Sequence, residues 1–256
     1  MKRQVVSIVG LTASGKSAIG VSIAREFNGE IISADSRQVY RGLDIGTAKI
    51  TRAEMKGVPH HLIDVVEPET HFDVHMFQER AFEAIEDILS RGRLPIIVGG
   101  TGLYSRSVVE NYKFDNSPAL PCVRHIKSAS ARQSERVFEV LQVCLMPARE
   151  IIRERIAGRI EERLGHGMIE ETRGLIARGV SESWLRGLGL EYKFNVELIR
   201  GEIGLEEYKG LLLTASCQYA KRQRTWFKRE KDTVFLTEVD TFLQDTRKAV
   251  AGFVED

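Results

Sequence analysis

The stretch Gly10-Leu11-Thr12-Ala13-Ser14-Gly15-Lys16-Ser17 obeys the pattern G-x-x-x-x-G-K-[ST], and no other feature limits the fold of this chain so tightly. Such a loop works between a buried strand and a helix start, where backbone N–H groups and the positive end of the helix converge on anionic oxygens. Both flanks are present. Residues 4 to 9, QVVSIV, read as a short buried strand, and Ile19, Ile23 and Phe27 recur at four-residue spacing in a helix expected from about Lys16 to Phe27. Lys16 adds a mobile positive charge, and the Ser17 hydroxyl is a candidate Mg²⁺ ligand. A phosphorylated ligand is expected, but the pattern does not say whose phosphates are held.

The rest of the chain extends the alternation of strand and helix. EIISADS (30 to 36) reads as a second strand ending on Asp35, and LPIIVGGTG (94 to 102) as a third ending on glycines. Between them DVHMFQERAFEAIEDILSRG reads as a helix with Phe77, Ala81, Ala84, Ile85 and Ile88 on its apolar face and Gly92 just past its end. RVFEVLQVCL (136 to 145) reads as another strand. This alternation predicts an α/β fold of P-loop NTPase type: a doubly wound parallel sheet flanked by helices, with the ligand at the carboxyl ends of the strands. From Ala148 long charged helices take over, followed by a last strand, TVFLT, and a helix from about Val239, so the C-terminal half is helical. A single domain spanning 1–256 is expected, interrupted by one exposed connection at 111–136 that holds two prolines and no sustained periodicity.

Several function classes are excluded or weakened. A formal charge of +1 rules out a polyanion-binding surface over the whole molecule, so any nucleic-acid contact must rest on a local patch. Cys122, Cys144 and Cys217 are odd in number and lack C-x-x-C spacing, which argues against a disulfide framework or structural zinc and fits a reducing cytoplasm. The basic start MKRQVVSIVGL feeds straight into the phosphate loop and no apolar run approaches the length of a membrane span, so it reads as a first strand rather than an address.

Four further features bear on chemistry. ATP-hydrolysing P-loop proteins supply an Asp on a later strand for Mg²⁺, whereas LPIIVGGTG ends in glycines and a threonine, which weakens a motor or switch role and leaves a small-molecule kinase or a diphosphate-releasing enzyme open. Asp35, at the same expected sheet edge as the phosphate loop, is either a general base or a turn-capping acid. Gly99 to Gly102, GGTG, permits close backbone approach to a ligand and offers the Thr101 hydroxyl, or is simply a glycine-lined turn. AKRQRTWFKREK places Lys221, Arg224 and Lys228 on one helical face, with Arg222, Arg229, Trp226 and Phe227 alongside; this is a nucleic-acid or phosphate surface, or a solvated face with an anchored Trp. His60, His61, His71 and His75 lack an evident third ligand and read as structural.

GLTASGKS, SADSRQVYRGLDIGTAK (33 to 49), GVPHHLID (57 to 64), GGTGLY (99 to 104) and QYAKRQRTWF (218 to 227), in that order, closely resemble the tRNA dimethylallyltransferases. The resemblance implies transfer of a five-carbon prenyl group from dimethylallyl diphosphate to the exocyclic N6 of the adenosine beside the anticodon. It implies that Gly10, Leu11, Thr12, Ala13, Ser14, Gly15, Lys16 and Ser17 hold the diphosphate with Mg²⁺, and that Arg222 joins them. It implies that Asp35 is the base towards N6, that Asp35, Ser36, Arg37 and Gln38 meet the acceptor adenosine, that Thr101 lies beside the reacting centre, and that Lys221, Gln223 and Arg224 face RNA. Lys16, Asp35 and Thr101 would then carry catalysis.

Two departures from the family pattern matter. The family's inserted helical domain, which grips the anticodon stem-loop, shrinks here to residues 111 to 136, and Cys217 stands where an arginine near the diphosphate is expected. A thiol lacks a guanidinium's fork of donors. Three readings follow: a compact tRNA dimethylallyltransferase, expected to be a cytoplasmic monomer; a cytokinin-type enzyme whose acceptor is a free adenine nucleotide such as AMP; and a catalytically impaired paralogue that binds RNA or prenyl diphosphate.

Overall fold

The computed structural model describes residues 3–114, 131–133 and 135–255. Strand β1 (Gln4–Gly10) is buried along its whole length, as a central strand covered by helices on both faces must be. It lies in a six-stranded parallel sheet with β2 (Gly29–Ser33), β3 (His60–His61), β4 (Leu94–Gly99), β7 (Glu139–Leu145) and β8 (Thr233–Leu236), in the order β3-β2-β4-β1-β7-β8. Because β1 sits between β4 and β7, the loops that follow β1, β2, β4 and β7 open on one edge. That edge is where a doubly wound sheet offers its crevice.

The flanking helices follow their apolar spacing. In α3 (Val74–Ser90) the residues Val74, Phe77, Ala81, Ile85 and Ile88 are buried, Asp73 caps the start by accepting from the Met76 N–H at 3.0 Å, and Gly92 follows the end at φ +69°. Helix α1 (Lys16–Glu26) packs so closely on β4 that a Cβ at Gly20 would lie 2.7 Å from the Val98 side chain. Between them lies α2 (Arg52–Met55), with a Thr51/Glu54 capping box. Helix α4 (Gly102–Val109) leads out of β4. Helices α5 (Arg149–Gly165) and α6 (Met168–Ala177) are one charged run broken at Gly167, φ +89°. Two short helices, α7 (Glu182–Leu188) and α8 (Leu190–Ile199), precede the long α9 (Leu205–Phe227), and α10 (Phe242–Glu255) closes the chain against α1.

The expected exposed connection at 111–136 carries short strands near its ends. Tyr112–Phe114 (β5) and Ala131–Gln133 (β6) pair antiparallel, with Lys113 opposite Arg132. Residues 115–130 and 134, Cys122 among them, lie outside the described residues. All four histidines read as structural have partners in the protein: His60 Nδ1 meets the Val58 carbonyl at 2.9 Å, His61 Nε2 meets Glu30 at 2.7 Å, His71 Nε2 meets Asp73 at 3.1 Å and His75 Nε2 lies 3.6 Å from Glu79. Glu30 is buried at the foot of β2, where Arg91, Arg93 and His61 surround it and the Arg91 guanidinium holds its carboxyl down to about 2. No helix among the described residues is long and apolar enough to cross a membrane.

Candidate active site

Strand β1 ends where only glycine fits: Gly10 has φ +151°, and a Cβ there would sit 2.4 Å from the Leu145 carbonyl oxygen of β7. The chain then turns inward. Leu11 N–H donates to the Leu145 carbonyl at 3.3 Å, Ser14 N–H to the Leu11 carbonyl at 3.2 Å, and Thr12 N–H to Gln223 Oε1 at 2.8 Å. Left-handed backbone at Ala13 (φ 60°) and Gly15 (φ 93°) makes a concave nest. The expectation that amides all along residues 10 to 17 converge on an anion is thereby narrowed. Those of Leu11, Thr12 and Ser14 are committed within the protein, whereas those of Ala13 and Gly15 have no backbone partner among the described residues. Lys16 and Ser17 lie in the first turn of α1, whose N–H groups have none by construction.

Lys16 Nζ donates to the Leu11 carbonyl at 3.2 Å and is half-buried. Burial holds its pKa down to about 8; the Asp35 charge opposes this and the Arg159 charge adds to it. Ser17 is exposed and its hydroxyl has no hydrogen-bond partner among the described residues, which leaves it open to a cation. No group of three or more His, Cys, Asp or Glu among the described residues could hold a metal.

Across the edge, Asp35 follows β2 and is half-buried. Its Oδ1 accepts the Arg37 N–H at 2.9 Å, the turn-capping role weighed for it, while its other oxygen has no hydrogen-bond partner among the described residues. Thr101 ties the two turns together: its N–H donates to the Ala34 carbonyl at 3.2 Å, and its Oγ1 accepts the Ser36 N–H at 3.1 Å. Gly99 permits this approach, since a Cβ there would lie 2.1 Å from the Ala34 carbonyl oxygen. Lys16 also reaches this side, 3.4 Å from where a Gly100 Cβ would stand.

The basic block on α9 divides differently from its sequence pattern. Lys221 and Lys228 are exposed, but Arg224 is half-buried and its guanidinium donates to the Pro147 carbonyl. Gln223 is buried and spends its amide on Thr12 and Gly100. Gln38 likewise turns inward, donating to the Thr47 and Ala48 carbonyls at 3.3 Å and accepting from Ser33. Gln38, Gln223 and Arg224, expected to face the acceptor, thus hold these groups against the protein's own backbone. Arg222, expected at the diphosphate, lies with its guanidinium 5.8 Å from the Tyr219 ring centroid. Burial pushes the Tyr219 phenol up to about 12, and the charge of Asp35 adds to that shift, which puts Tyr219 and Arg222 on the Asp35 side.

Sequence reasoning missed the α5 arginines, whose charged helix reads as a solvated face. Arg155 donates to the Ala13 and Ser14 carbonyls at 3.4 and 3.3 Å, and Arg163 to the Gly46 carbonyl at 2.8 Å and Glu191 at 2.9 Å. One helical turn from each lies Arg159, half-buried, acting on Lys16, and without an ion-pair or hydrogen-bond partner for its guanidinium among the described residues. Burial and Arg163 hold its pKa below the ordinary arginine value. Glu162, Glu191 and Glu54 act on Arg159 from a distance, and its guanidinium, without a direct ion pair among the described residues, can receive an anion. Cys217 is half-buried and packs against the cluster that contains Leu11, Ala13 and Ile156.

A family model for IPP transferase matches residues 38–134 and 122–230. A tRNA dimethylallyltransferase 2 from Shewanella sediminis is 42% identical over 267 aligned positions, covering 88% of this chain and 88% of that one. The chain belongs to the tRNA dimethylallyltransferase family. A tRNA isopentenylpyrophosphate transferase structure from Bacillus halodurans aligns with this family member at TM-score 0.86 and 33% identity, covering 99% of this chain and 97% of the other. A second, from Staphylococcus epidermidis, aligns at TM-score 0.83 and 31% identity. The Shewanella dimethylallyltransferase alignment runs over 267 positions, more than the 256 residues of this chain, so that relative has a segment absent here.

Just beyond α9, Glu230 has a buried Oε1 that lies 3.8 Å from the Arg106 guanidinium and makes no hydrogen bond of good geometry among the described residues. Burial pushes its carboxyl up to about 7 against the pull of Arg106. Between pH 4.5 and 7 the folded state therefore keeps a proton that the unfolded state releases, and stability falls as pH rises through that window. Glu230→Gln removes this slope. Its thermal midpoint, compared with the unsubstituted protein, is expected to gain steadily from pH 4.5 to 7 and then level off, as read by circular dichroism melts.

Proposed function

We propose that this enzyme transfers a dimethylallyl group from dimethylallyl diphosphate to N6 of the adenosine beside the anticodon of tRNA, releasing diphosphate. The observation that carries it is the joint placement of a phosphate nest and a half-free carboxylate. Lys16 heads the nest and feels the charge of Asp35 across the same sheet edge. In the reaction the N6 lone pair forms a bond to the allylic carbon, the carbon–oxygen bond breaks, and its electron pair leaves with the diphosphate. The amides of Ala13, Gly15, Lys16 and Ser17, with the Lys16 and Arg159 cations, stabilise the charge that develops there. Bound Mg²⁺, held on the protein by Ser17, would supply further neutralisation of the leaving group. The free oxygen of Asp35 takes the N6 proton, which an amine conjugated to a purine must shed as it reacts. No phosphoryl group moves, which accounts for the absence of a carboxylate at the end of β4.

The acceptor is the remaining choice. The relatives named above are described as acting on tRNA, and Lys221, Arg222, Lys228 and Arg229 stay exposed on and after α9 to meet a phosphate backbone. The protein is expected to work as a cytoplasmic monomer. The test offers labelled dimethylallyl diphosphate and Mg²⁺ with unmodified tRNA in one reaction and with AMP, ADP or ATP in another. Label on tRNA is expected; label on AMP alone would move the enzyme to the cytokinin-forming class, and none on either would make it an impaired paralogue. Arg159→Ala is expected to weaken pyrophosphate binding about 10- to 100-fold, the range of one or two charge-assisted hydrogen bonds, as read by calorimetry.

A further inference from the structure

Both halves of the Gln223 amide are used, and they are used by the two loops that face each other across the cleft. Oε1 accepts the Thr12 N–H of the phosphate loop at 2.8 Å, and Nε2 donates to the Gly100 carbonyl of the turn after β4 at 2.8 Å. The residue is 6% exposed. Gly100 is shaped to receive it, because a Cβ there would stand 2.6 Å from Nε2. Three residues along α9, Trp226 fills the place a Cβ on Gly102 would take, 2.3 Å from its indole nitrogen, so one helix face holds the Gly100–Gly102 turn at two points. From Gly100 the connection continues through Thr101 to Ser36 and Ala34, the residues on either side of Asp35.

We propose that Gln223 is a positioning residue that sets the distance between the leaving-group loop and the turn that orients Asp35. The inference rests on the prenyl-transfer reading of the cleft. Displacement at an allylic carbon needs its reacting atoms about 3–3.5 Å apart, and a misplacement of about 1 Å can cost about 100-fold in rate. A primary amide offers an acceptor and a donor at the two ends of one rigid group, which the two loops require at once. A carboxylate of the same length still accepts from Thr12 but turns a second acceptor towards the Gly100 carbonyl. Alanine leaves both backbone groups buried and unpaired.

Gln223→Glu therefore separates the two ends. It is expected to bind pyrophosphate with Mg²⁺ within about threefold of the unsubstituted protein, because the Thr12 contact survives, while kcat falls at least about tenfold. Gln223→Ala is expected to lose both binding and turnover. Turnover of Gln223→Glu within twofold of normal in a protein that melts normally would overturn the proposal. So would a fall in kcat fully matched by a loss of pyrophosphate affinity, which would make Gln223 part of the cradle. A readout independent of transfer uses Trp226 as the reporter, in a background where Trp184→Phe leaves it the sole tryptophan. Pyrophosphate is expected to shift its emission when Gln223 is present and not in Gln223→Glu. No shift with Gln223 in place would contradict the link between the loops. A shift in a protein that never transfers the prenyl group would leave the link standing and sink the proposed activity instead.

Discussion

Asp35→Asn is expected to lower turnover by about 10²- to 10⁴-fold while pyrophosphate affinity stays close to normal, because general bases contribute on that scale. The asparagine can still accept the Arg37 N–H through its carbonyl oxygen, so the turn after β2 keeps its Oδ1 contact. What it loses is the free anionic oxygen, the only part assigned to the N6 proton. Asp35 acts on both Lys16 and Tyr219, so a second signature accompanies the loss of rate. Removing the carboxylate takes away an attraction that favours the charged lysine, and the Lys16 pKa falls further below about 8. Turnover within tenfold of normal would leave Asp35 as a turn cap and move the base elsewhere.

Lys16→Ala is expected to lower kcat/KM by about 10²- to 10³-fold, the cost of removing one preorganised charge from a leaving group. Its proton balance gives a sharper test. Burial keeps the Lys16 pKa down to about 8 in the free protein, and a bound polyanion beside it must raise that value. Pyrophosphate binding at pH 8 is therefore expected to take up protons, visible as a binding enthalpy that varies with the ionisation enthalpy of the buffer. Lys16→Ala should abolish the uptake. The stability effect has the opposite sign to the binding effect. A lysine whose folded pKa is lowered gives up its proton between pH 8 and 10.5 before the unfolded chain does, so the folded state gains stability as pH rises through that range. The alanine variant is expected to lack that rise.

The sheet was legible because its signals are local and repeated. Four buried strands, a phosphate loop and an amphipathic α3 each follow from residue spacing, and only their ends shift by a few residues. Three features were not. The two-residue β3 is too short to show a period, and α7 and α8 hide in SESWLRGLGLEYKFNVELIR, where Gly187 and Gly189 break the pattern between two short helices. The β5–β6 pair joins segments whose sequence shows no alternation, so nothing local announces it.

The site was legible in its residue types and less so in their directions. Lys16, Ser17, Asp35 and Thr101 reach one edge because each follows a strand of the parallel sheet, a placement that topology dictates. Gln38, Gln223 and Arg224 belong to the same blocks but turn inward, since each finds a backbone carbonyl or amide within reach that a one-dimensional pattern does not display. Arg155 and Arg159 were hidden for the opposite reason. On an α5 rich in Arg and Glu they resemble solvent-facing charges, and only the packing of α5 over the phosphate loop singles them out.

Digesting tRNA after incubation with the enzyme, Mg²⁺ and dimethylallyl diphosphate, and locating any added mass along the sequence, tests the central claim most directly. The account predicts one five-carbon prenyl group on the adenosine next to the anticodon, formed by the unsubstituted protein and nearly absent with Asp35→Asn. A tRNA without the added group, from a protein that binds the prenyl donor and modifies free AMP, would contradict it.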